Sequence, residues 1–299
     1  MIEGDKQSAS GFAIIDKPAG LTSFTLLSSL GRRLGPATKN GHAGTLDSFA
    51  SGVLVCLFGR YTRLSDYFMG ALKGYDADVL FGEETTTLDP EGQVIATGPL
   101  PSLQTVESTL PSFTGTIMQS PPAYSAVHIG GKRAYERVRK GQDVQPVARP
   151  VRIDSIELLS YVNGVARIRV ACGKGTYIRS LARDIALACG SRGRLSALRR
   201  TFSGPFSIDE AIHVDDFSLA SLRVLTAADA AGLGLGLLRI EGDEANAFRN
   251  GLPLFRLATF GSLEAKSPTV VFDADDSPLG IVARDGTAWR YAFVLGGKA

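Results

Sequence analysis

Short apolar runs, broken by Gly, Pro, Ser and Asp, follow one another along the chain and predict a mixture of strands and helices. Residues 11–16 are apolar up to Asp16 and close on Lys17-Pro18-Ala19-Gly20, a strand followed by a turn. Thr22-Ser23 can cap a helix whose apolar positions Phe24, Leu27, Leu30 and Leu34 recur at helical spacing. Residues 36–51 are rich in Gly, Ser and Thr and read as a loop. The continuous apolar run 53–58 predicts a buried strand, and a short helix is expected over 62–72. Alternation at 75–81 predicts a further strand.

Asp89-Pro90-Glu91-Gly92 marks a turn before a strand near 93–97, and Ser102 caps a helix running to Leu110. Residues 116–118 lead into Ser120-Pro121-Pro122, which excludes a helix interior. Residues 132–140 have helical character and stop at Gly141. The runs 151–162 and 165–172 flank Asn163-Gly164, the strongest short hairpin signal. Residues 177–189 make an amphipathic helix pattern ending at Gly190. After Gly232-Leu233-Gly234-Leu235-Gly236 the texture changes to short runs at 270–273, 279–283 and 290–295. The pattern predicts an α+β chain with a mixed, largely antiparallel sheet flanked by helices. A division into residues 1–236 and a small β-rich unit over 237–299 is expected.

The chain has 299 residues, 44% hydrophobic and 21% charged, which allows a sizeable core and excludes wholesale disorder. No apolar run reaches the ~20 residues of a membrane span. The first ten residues are polar, without the apolar centre of a signal peptide. Cys56, Cys172 and Cys189 are too scattered for a disulfide framework, and no CxxC pair occurs. A reduced, cytoplasmic protein is the expectation.

The formal net charge of +2 hides an asymmetry. Residues 1–127 carry 8 Lys/Arg against 12 Asp/Glu, residues 128–200 carry 16 against 5, and residues 201–299 carry 8 against 13. Thirteen of the sixteen central basic residues are Arg, a side chain suited to bidentate phosphate contacts and base stacking. Two readings fit. One is an anionic polymer partner, most simply nucleic acid; the other is a surface that the acidic flanks neutralise in the fold.

Several chemistries have no support. Gly173-Lys174-Gly175-Thr176 lacks the glycine spacing of a Walker A loop, and no GxGxxG follows a strand. His42, His128 and His213 are isolated, without HExxH or a zinc-deaminase pattern, and there is no Gly-x-Ser-x-Gly elbow. What is left is cofactor-free chemistry on carboxylates, Tyr, His and Arg. Asp47 follows a glycine-rich loop and precedes an apolar strand, a place where an Asp either caps a turn or faces a ligand.

Four segments stand out together: Lys17-Pro18-Ala19-Gly20-Leu21-Thr22-Ser23; Gly41-His42-Ala43-Gly44-Thr45-Leu46-Asp47; Gln119-Ser120-Pro121-Pro122-Ala123-Tyr124-Ser125-Ala126; and Gly173-Lys174-Gly175-Thr176-Tyr177-Ile178-Arg179, with Leu198-Arg199-Arg200-Thr201 downstream. In this order they resemble the TruB-type tRNA pseudouridine synthases, densely from about residue 11 to residue 206 and faintly beyond. The resemblance implies the pseudouridine synthase fold with a small C-terminal PUA-like domain. It implies isomerisation of the T-loop uridine at tRNA position 55: the N-glycosidic bond breaks, the base turns, and C5 rejoins the sugar. No electrons or phosphates are exchanged, so no cofactor and no metal is implied.

By the same resemblance Asp47 matches the essential carboxylate. It can act as nucleophile toward sugar or base, or as base toward the C2′ proton. Arg179 matches its ion-pair partner, expected to hold the carboxylate ionised. Tyr75 matches a tyrosine stacked on the extruded target base, Tyr177 and Leu198 match the walls of the uracil pocket, and His42 matches an RNA contact near the flipped nucleotides. The implied partner is the tRNA T-arm, whose phosphates the basic stretch 132–200 would follow. A monomer without membrane or protein partner is expected. The chain departs from the family pattern at Ser48 (usually Pro), Thr86 (commonly Asp), His128 (usually Lys) and Arg60-Tyr61-Thr62-Arg63. An RNA-folding chaperone with vestigial chemistry and a carboxylate-dependent nucleoside hydrolase are the rival classes.

Overall fold

The computed structural model describes residues 9–124, 128–129, 132–133, 147–261, 263–264 and 268–295. Its larger sheet runs through eight strands: β1 (Gly11–Lys17), β2 (Ser51–Phe58), β3 (Lys73–Phe81), β4 (Gly115–Gln119), β5 (Arg149–Val162), β6 (Val165–Cys172), β7 (Gly193–Ser203) and β8 (Ile212–His213). Their spatial order is β8-β1-β2-β7-β3-β6-β5-β4, with Asn40–His42 added to β2 and Phe206–Ser207 to β7. β8 with β1 and β2 with β7 are parallel pairs; the other pairings in this sheet are antiparallel. The sheet is therefore mixed and largely antiparallel.

The apolar run 53–58 is continuous because β2 is covered on both faces. Successive strand residues point to opposite sides. Val53, Val55 and Leu57 join one core cluster with Phe12, Ile14 and Phe68. Leu54, Cys56 and Phe58 join another with Ala13, Ile15 and the helix residues Leu26, Leu27 and Leu30. Each such side chain contributes about 1.5–3 kcal/mol by leaving water. β3, β6 and β7 are covered on one face by Ile178, Leu181, Ala182 and Ile185 of the helix Ile178–Ala188. Asn163 and Gly164 turn the β5–β6 hairpin with φ of 51° and 76°, the left-handed pair that a two-residue hairpin turn needs.

Thr22 caps the helix Ser23–Arg33 by accepting from the Thr25 N–H at 3.0 Å. Its core stripe is Leu26, Leu27 and Leu30; Phe24, expected inside, lies off that stripe and is 76% exposed. The helix expected over 62–72 is a 3-10 segment, Gly59–Leu64, followed by one α turn, Ser65–Met69. Of the helix expected over 132–140, Lys132–Arg133 forms a short ladder with His128–Ile129 instead, and the remainder lies outside the described residues.

A second sheet follows: β9 (Gly236–Arg239), β10 (Thr269–Phe272), β11 (Pro278–Asp285) and β12 (Ala288–Val294), in chain order. Leu235, Val270, Phe272, Ile281 and Phe293 pack in the same cluster as Phe12, Val53 and Tyr61. The two sheets thus share part of one core. No described helix is long and apolar enough to cross a membrane.

Half of the sixteen basic residues of the central stretch find an acidic partner within the fold. Among the described residues, Arg152, Arg167, Arg169, Arg179, Arg183, Arg192, Arg194 and Arg199 each have an acidic partner. Asp16, Asp47, Asp76, Asp78, Glu83 and Glu84 from the acidic first part supply six of these pairings. Arg167 and Arg169 of β6 stand opposite Asp78 and Asp76 of β3. Such exposed pairs are each worth only about 0–1 kcal/mol; what they change is the field.

Candidate active site

A cleft of about 960 Å³ opens over β3 and β7, beside the short stretch where β7 runs parallel to β2. The strands approach closely there because residue 52 is glycine, with φ +104°; a Cβ would lie 2.2 Å from the Arg200 carbonyl oxygen. Asp47 reaches the cleft from the loop before β2, Tyr75 from β3, Leu198 from β7, and Tyr177 and Arg179 from the start of the helix Ile178–Ala188. Five of the six expected site residues therefore line one cleft. His42 is not among its walls.

Arg179 is the hub. Its Nη2 donates to Asp47 Oδ1 at 3.1 Å, and its Nε lies 2.9 Å from Asp47 Oδ2 as an ion-pair contact out of line with the N–H. Nη1 donates to the Thr87 carbonyl at 2.9 Å and reaches Asp89 Oδ2 at 3.4 Å; Nη2 also donates to the Tyr124 carbonyl at 3.1 Å. The Arg179 side chain is 6% exposed and that of Asp47 37%, so the cation is fixed behind and the carboxylate faces the cleft. Burial pushes the Asp47 carboxyl above its ordinary range; Arg179 opposes this, and Asp89 and Glu91 add to it. The sequence led to the opposite expectation, because it displayed the cation but not the burial or the second and third carboxylates. Asp89, buried and bonded to Thr87 Oγ1, was legible only as a turn residue.

Tyr177 is the N-cap of the site helix without a side-chain cap of its own. Gln119 supplies the acceptor: its Oε1 takes the Tyr177 N–H at 2.8 Å. The Ser120 carbonyl accepts from Ser180 Oγ at 2.8 Å and Arg183 Nη2 at 3.1 Å. The segment running into Pro121-Pro122 thereby pins the helical turn that carries Tyr177 and Arg179. Arg149 lies over the Tyr177 ring, 5.6 Å from its centroid, and donates to the Gly175 carbonyl at 2.9 Å.

His42 pairs with Cys56 on the edge of β2. Among the described residues its buried Nδ1 has no hydrogen-bond partner, and burial, then the Arg200 charge, holds its pKa below the usual value. Further cations stand in or near the cleft. Lys17 is fully buried and donates through Nζ to the Pro18 and Leu21 carbonyls at 2.8 and 2.6 Å, with Ser48 O at 3.4 Å. Burial brings it down to about 8, with Asp47 opposing the shift. Lys73 and Arg200 line the cleft itself. Each stands two residues from an expected site residue, Tyr75 or Leu198, on the same strand face; that period-2 spacing was the available signal.

The departures have defined places. Ser48 Oγ donates to Glu91 Oε1 at 2.5 Å, joining the Asp47 loop to the Asp89 turn. Thr86 pairs by backbone and hydroxyl with Gln93. Tyr61 is buried, its hydroxyl accepting the Leu225 N–H at 3.0 Å; Arg60 donates to the Leu295 carbonyl at 2.6 Å and Arg63 lies over Phe293. The Arg60–Arg63 stretch therefore faces the second sheet. The side chain of His128 lies outside the described residues.

Comparison with known proteins gives concordant results. Residues 32–178 match TruB family pseudouridylate synthase (N terminal domain). A Gluconobacter oxydans protein named tRNA pseudouridine synthase B is 47% identical over 223 residues, covering 74% of this chain and 67% of that one. A Mycobacteroides abscessus protein of the same name is 37% identical over 299 residues, covering 97% and 98%. A chain in the crystal structure of a Cbf5-Nop10-Gar1 complex has a TM-score of 0.68 at 23% identity, over 96% of this chain and 85% of that one, a likeness of fold. The identity over nearly the whole chain, on a site organised around Asp47 and Arg179, shows that this chain belongs to the TruB family of pseudouridylate synthases.

Proposed function

We propose that this chain isomerises a uridine of tRNA to pseudouridine, and that its target is the T-loop uridine at position 55. The observation that carries the reading is the Asp47–Arg179 pair facing a cleft that Tyr75, Tyr177 and Leu198 also line. The target base is extruded from the loop and stacks on Tyr75, with Tyr177 and Leu198 as pocket walls; stacking offsets part of the few kcal/mol lost on unstacking. Asp47 acts on C1′, on the base, or on the C2′ proton, and Arg179 keeps it ionised and aimed. His42 contacts the RNA beside the flipped nucleotide. Arg149 and Lys174 at the cleft serve the phosphates of the T-arm. The protein works as a cytoplasmic monomer without a cofactor, residues 1–236 forming the catalytic domain and 237–299 a PUA-like one.

The test is release of tritium from uridine C5 in T-arm RNA. Wild type releases it; Asp47→Asn loses about 10²–10⁴-fold or more in rate while still binding the RNA. Full release by Asp47→Asn would exclude the assigned role. Tight, salt-sensitive binding with no release by either protein would favour the RNA-folding chaperone.

A further inference from the structure

Four cleft residues alternate along two neighbouring strands. Lys73 and Tyr75 are two apart on β3, and Leu198 and Arg200 are two apart on β7, with Arg200 opposite Tyr75 in register. Lys73 and Arg200 are both buried, Arg200 at 1% exposure. Lys73 Nζ donates to the Met69 and Ala71 carbonyls at 2.9 and 2.8 Å. Arg200 donates through Nε to the Val53 carbonyl at 2.6 Å and through Nη2 to the Gly44 carbonyl at 3.1 Å. Among the described residues neither has a carboxylate within ion-pair distance, whereas Arg179, Arg194 and Arg199 all do. A Cβ on Gly44, three residues before Asp47, would lie 3.5 Å from Lys73 Cε and 3.6 Å from Arg200 Nη1, so the two cations converge beneath the Asp47 loop.

Two like charges held out of water by neutral groups alone, carbonyls and for Arg200 also the Tyr75 hydroxyl, are costly, and an anion entering the cleft would relieve that cost. Carbonyl acceptors fix a cation in place without cancelling it. We propose that Lys73 and Arg200 form an anion subsite for the uracil base during the interval when it is detached from the sugar. The inference rests on the activity proposed above. When C1′–N1 breaks, the bonding pair leaves with the base, giving a uracil anion with charge shared among N1, O2 and O4. C1′ is captured by the Asp47 carboxylate, or the sugar loses its C2′ proton to it. The ring turns, C5 bonds to C1′ as Asp47 departs or the C2′ proton returns, and the C5 proton passes to a base while N1 takes up a proton from solvent, leaving a neutral pseudouridine. Negative charge on the base exists only between those two bonds, so cations fixed beforehand stabilise the interval more than the neutral ground state. The pair is interleaved with Tyr75 and Leu198, the residues assigned to the base. Arg149 and Lys174, by contrast, flank the Gly175 turn, where a phosphate would pass.

Burial, with the Arg200 charge adding to it, lowers Lys73 to about 8; Cys172, its register partner on β6, opposes. The cleft it lines also holds Tyr75 on its own strand, Asp47 in the loop above, Arg149 and Lys174 beside the Gly175 turn, Tyr124, and Tyr177 and Arg179 at the start of the site helix.

Three measurements on the full chain test the subsite. With T-arm RNA, Lys73→Met lowers kcat about 100-fold with KM changed less than about threefold, the size of effect seen on losing one preorganised donor. Lys73→Arg recovers kcat to within about tenfold and moves the basic limb of the kcat profile from near pH 8 to higher pH, because Arg keeps its proton. Independently of turnover, 5-nitrouracil, an anion at neutral pH, binds wild type about tenfold or more tighter than neutral uracil, and Lys73→Met abolishes that preference while remaining folded by circular dichroism. A Lys73→Met kcat within about threefold of wild type overturns the proposal, as does an unmoved basic limb in Lys73→Arg. A loss confined to KM and growing with salt would assign the cations to a phosphate and overturn it too. If wild type released no C5 tritium the activity reading would fail, while equal affinity for 5-nitrouracil and uracil would sink the subsite by itself.

Discussion

Asp47 sits between two opposing influences. Burial and the Asp89 and Glu91 carboxylates push its proton affinity up, and the Arg179 guanidinium, 2.9 Å away, pulls it down. The ionised form is the reactive one, so activity rises with pH along a limb that lies above the ordinary 3.8 of an aspartate. Asp89→Asn removes a repelling charge and leaves Arg179 to Asp47, so the acid limb of kcat/KM moves to lower pH; a pH–rate profile checks it. The stability linkage has the matching sign. A carboxyl raised in the folded state stabilises the fold below its ordinary value and loses that contribution as pH rises through the raised one. The motif around Asp47 was legible in the sequence. The sign of its shift was not, because Asp89 and Glu91 come to Asp47 only through the turn that Ser48 and Arg179 hold.

The elements explain why the site is rigid. Asp47 lies five residues before Gly52, where β2 passes the backbone of β7 too closely for any side chain. Gly52→Ala meets the Arg200 carbonyl at 2.2 Å in a backbone region unfavourable to alanine. It is expected to cost about 2–4 kcal/mol, read by denaturant unfolding, and to lower activity by moving Arg200 and the Asp47 loop. β2, the β5–β6 hairpin and the helix Ile178–Ala188 were all readable from local pattern. Phe24 was misplaced because helical spacing alone does not say which of two overlapping stripes meets the core. Gln119 was quoted as part of a motif, but its use as the distant acceptor for Tyr177 required knowing that β4 ends beside the site helix.

At the scale of the whole molecule, charge counted along the chain and charge available in space are different quantities. The paired Arg167 and Arg169 face Asp78 and Asp76, so replacing both by Gln leaves RNA affinity within about twofold. Arg149→Ala or Lys174→Ala, at the cleft, weakens binding and reduces the salt slope by about 1 each, measured by RNA titration across salt concentrations. The second sheet is tied to the first through shared apolar packing that includes Tyr61, whose hydroxyl also holds the Leu225 N–H ahead of that sheet. Tyr61→Phe leaves the buried Leu225 N–H without its acceptor and is expected to cost about 1–3 kcal/mol, seen as a lower Tm.

The sequence by itself determined the fold class, the principal strands and helices, and the motifs that mark the family. Each of these is written locally, as apolar period, turn chemistry or an unbroken string of residue types. The tertiary structure alone decided which charges cancel and which stay bare. Arg167 finds Asp78 from 89 positions away by strand register, while Lys73 and Arg200 meet beneath Gly44 with no carboxylate in reach among the described residues. Electrostatic energy depends on distance and burial, and neither is a property of position along a chain.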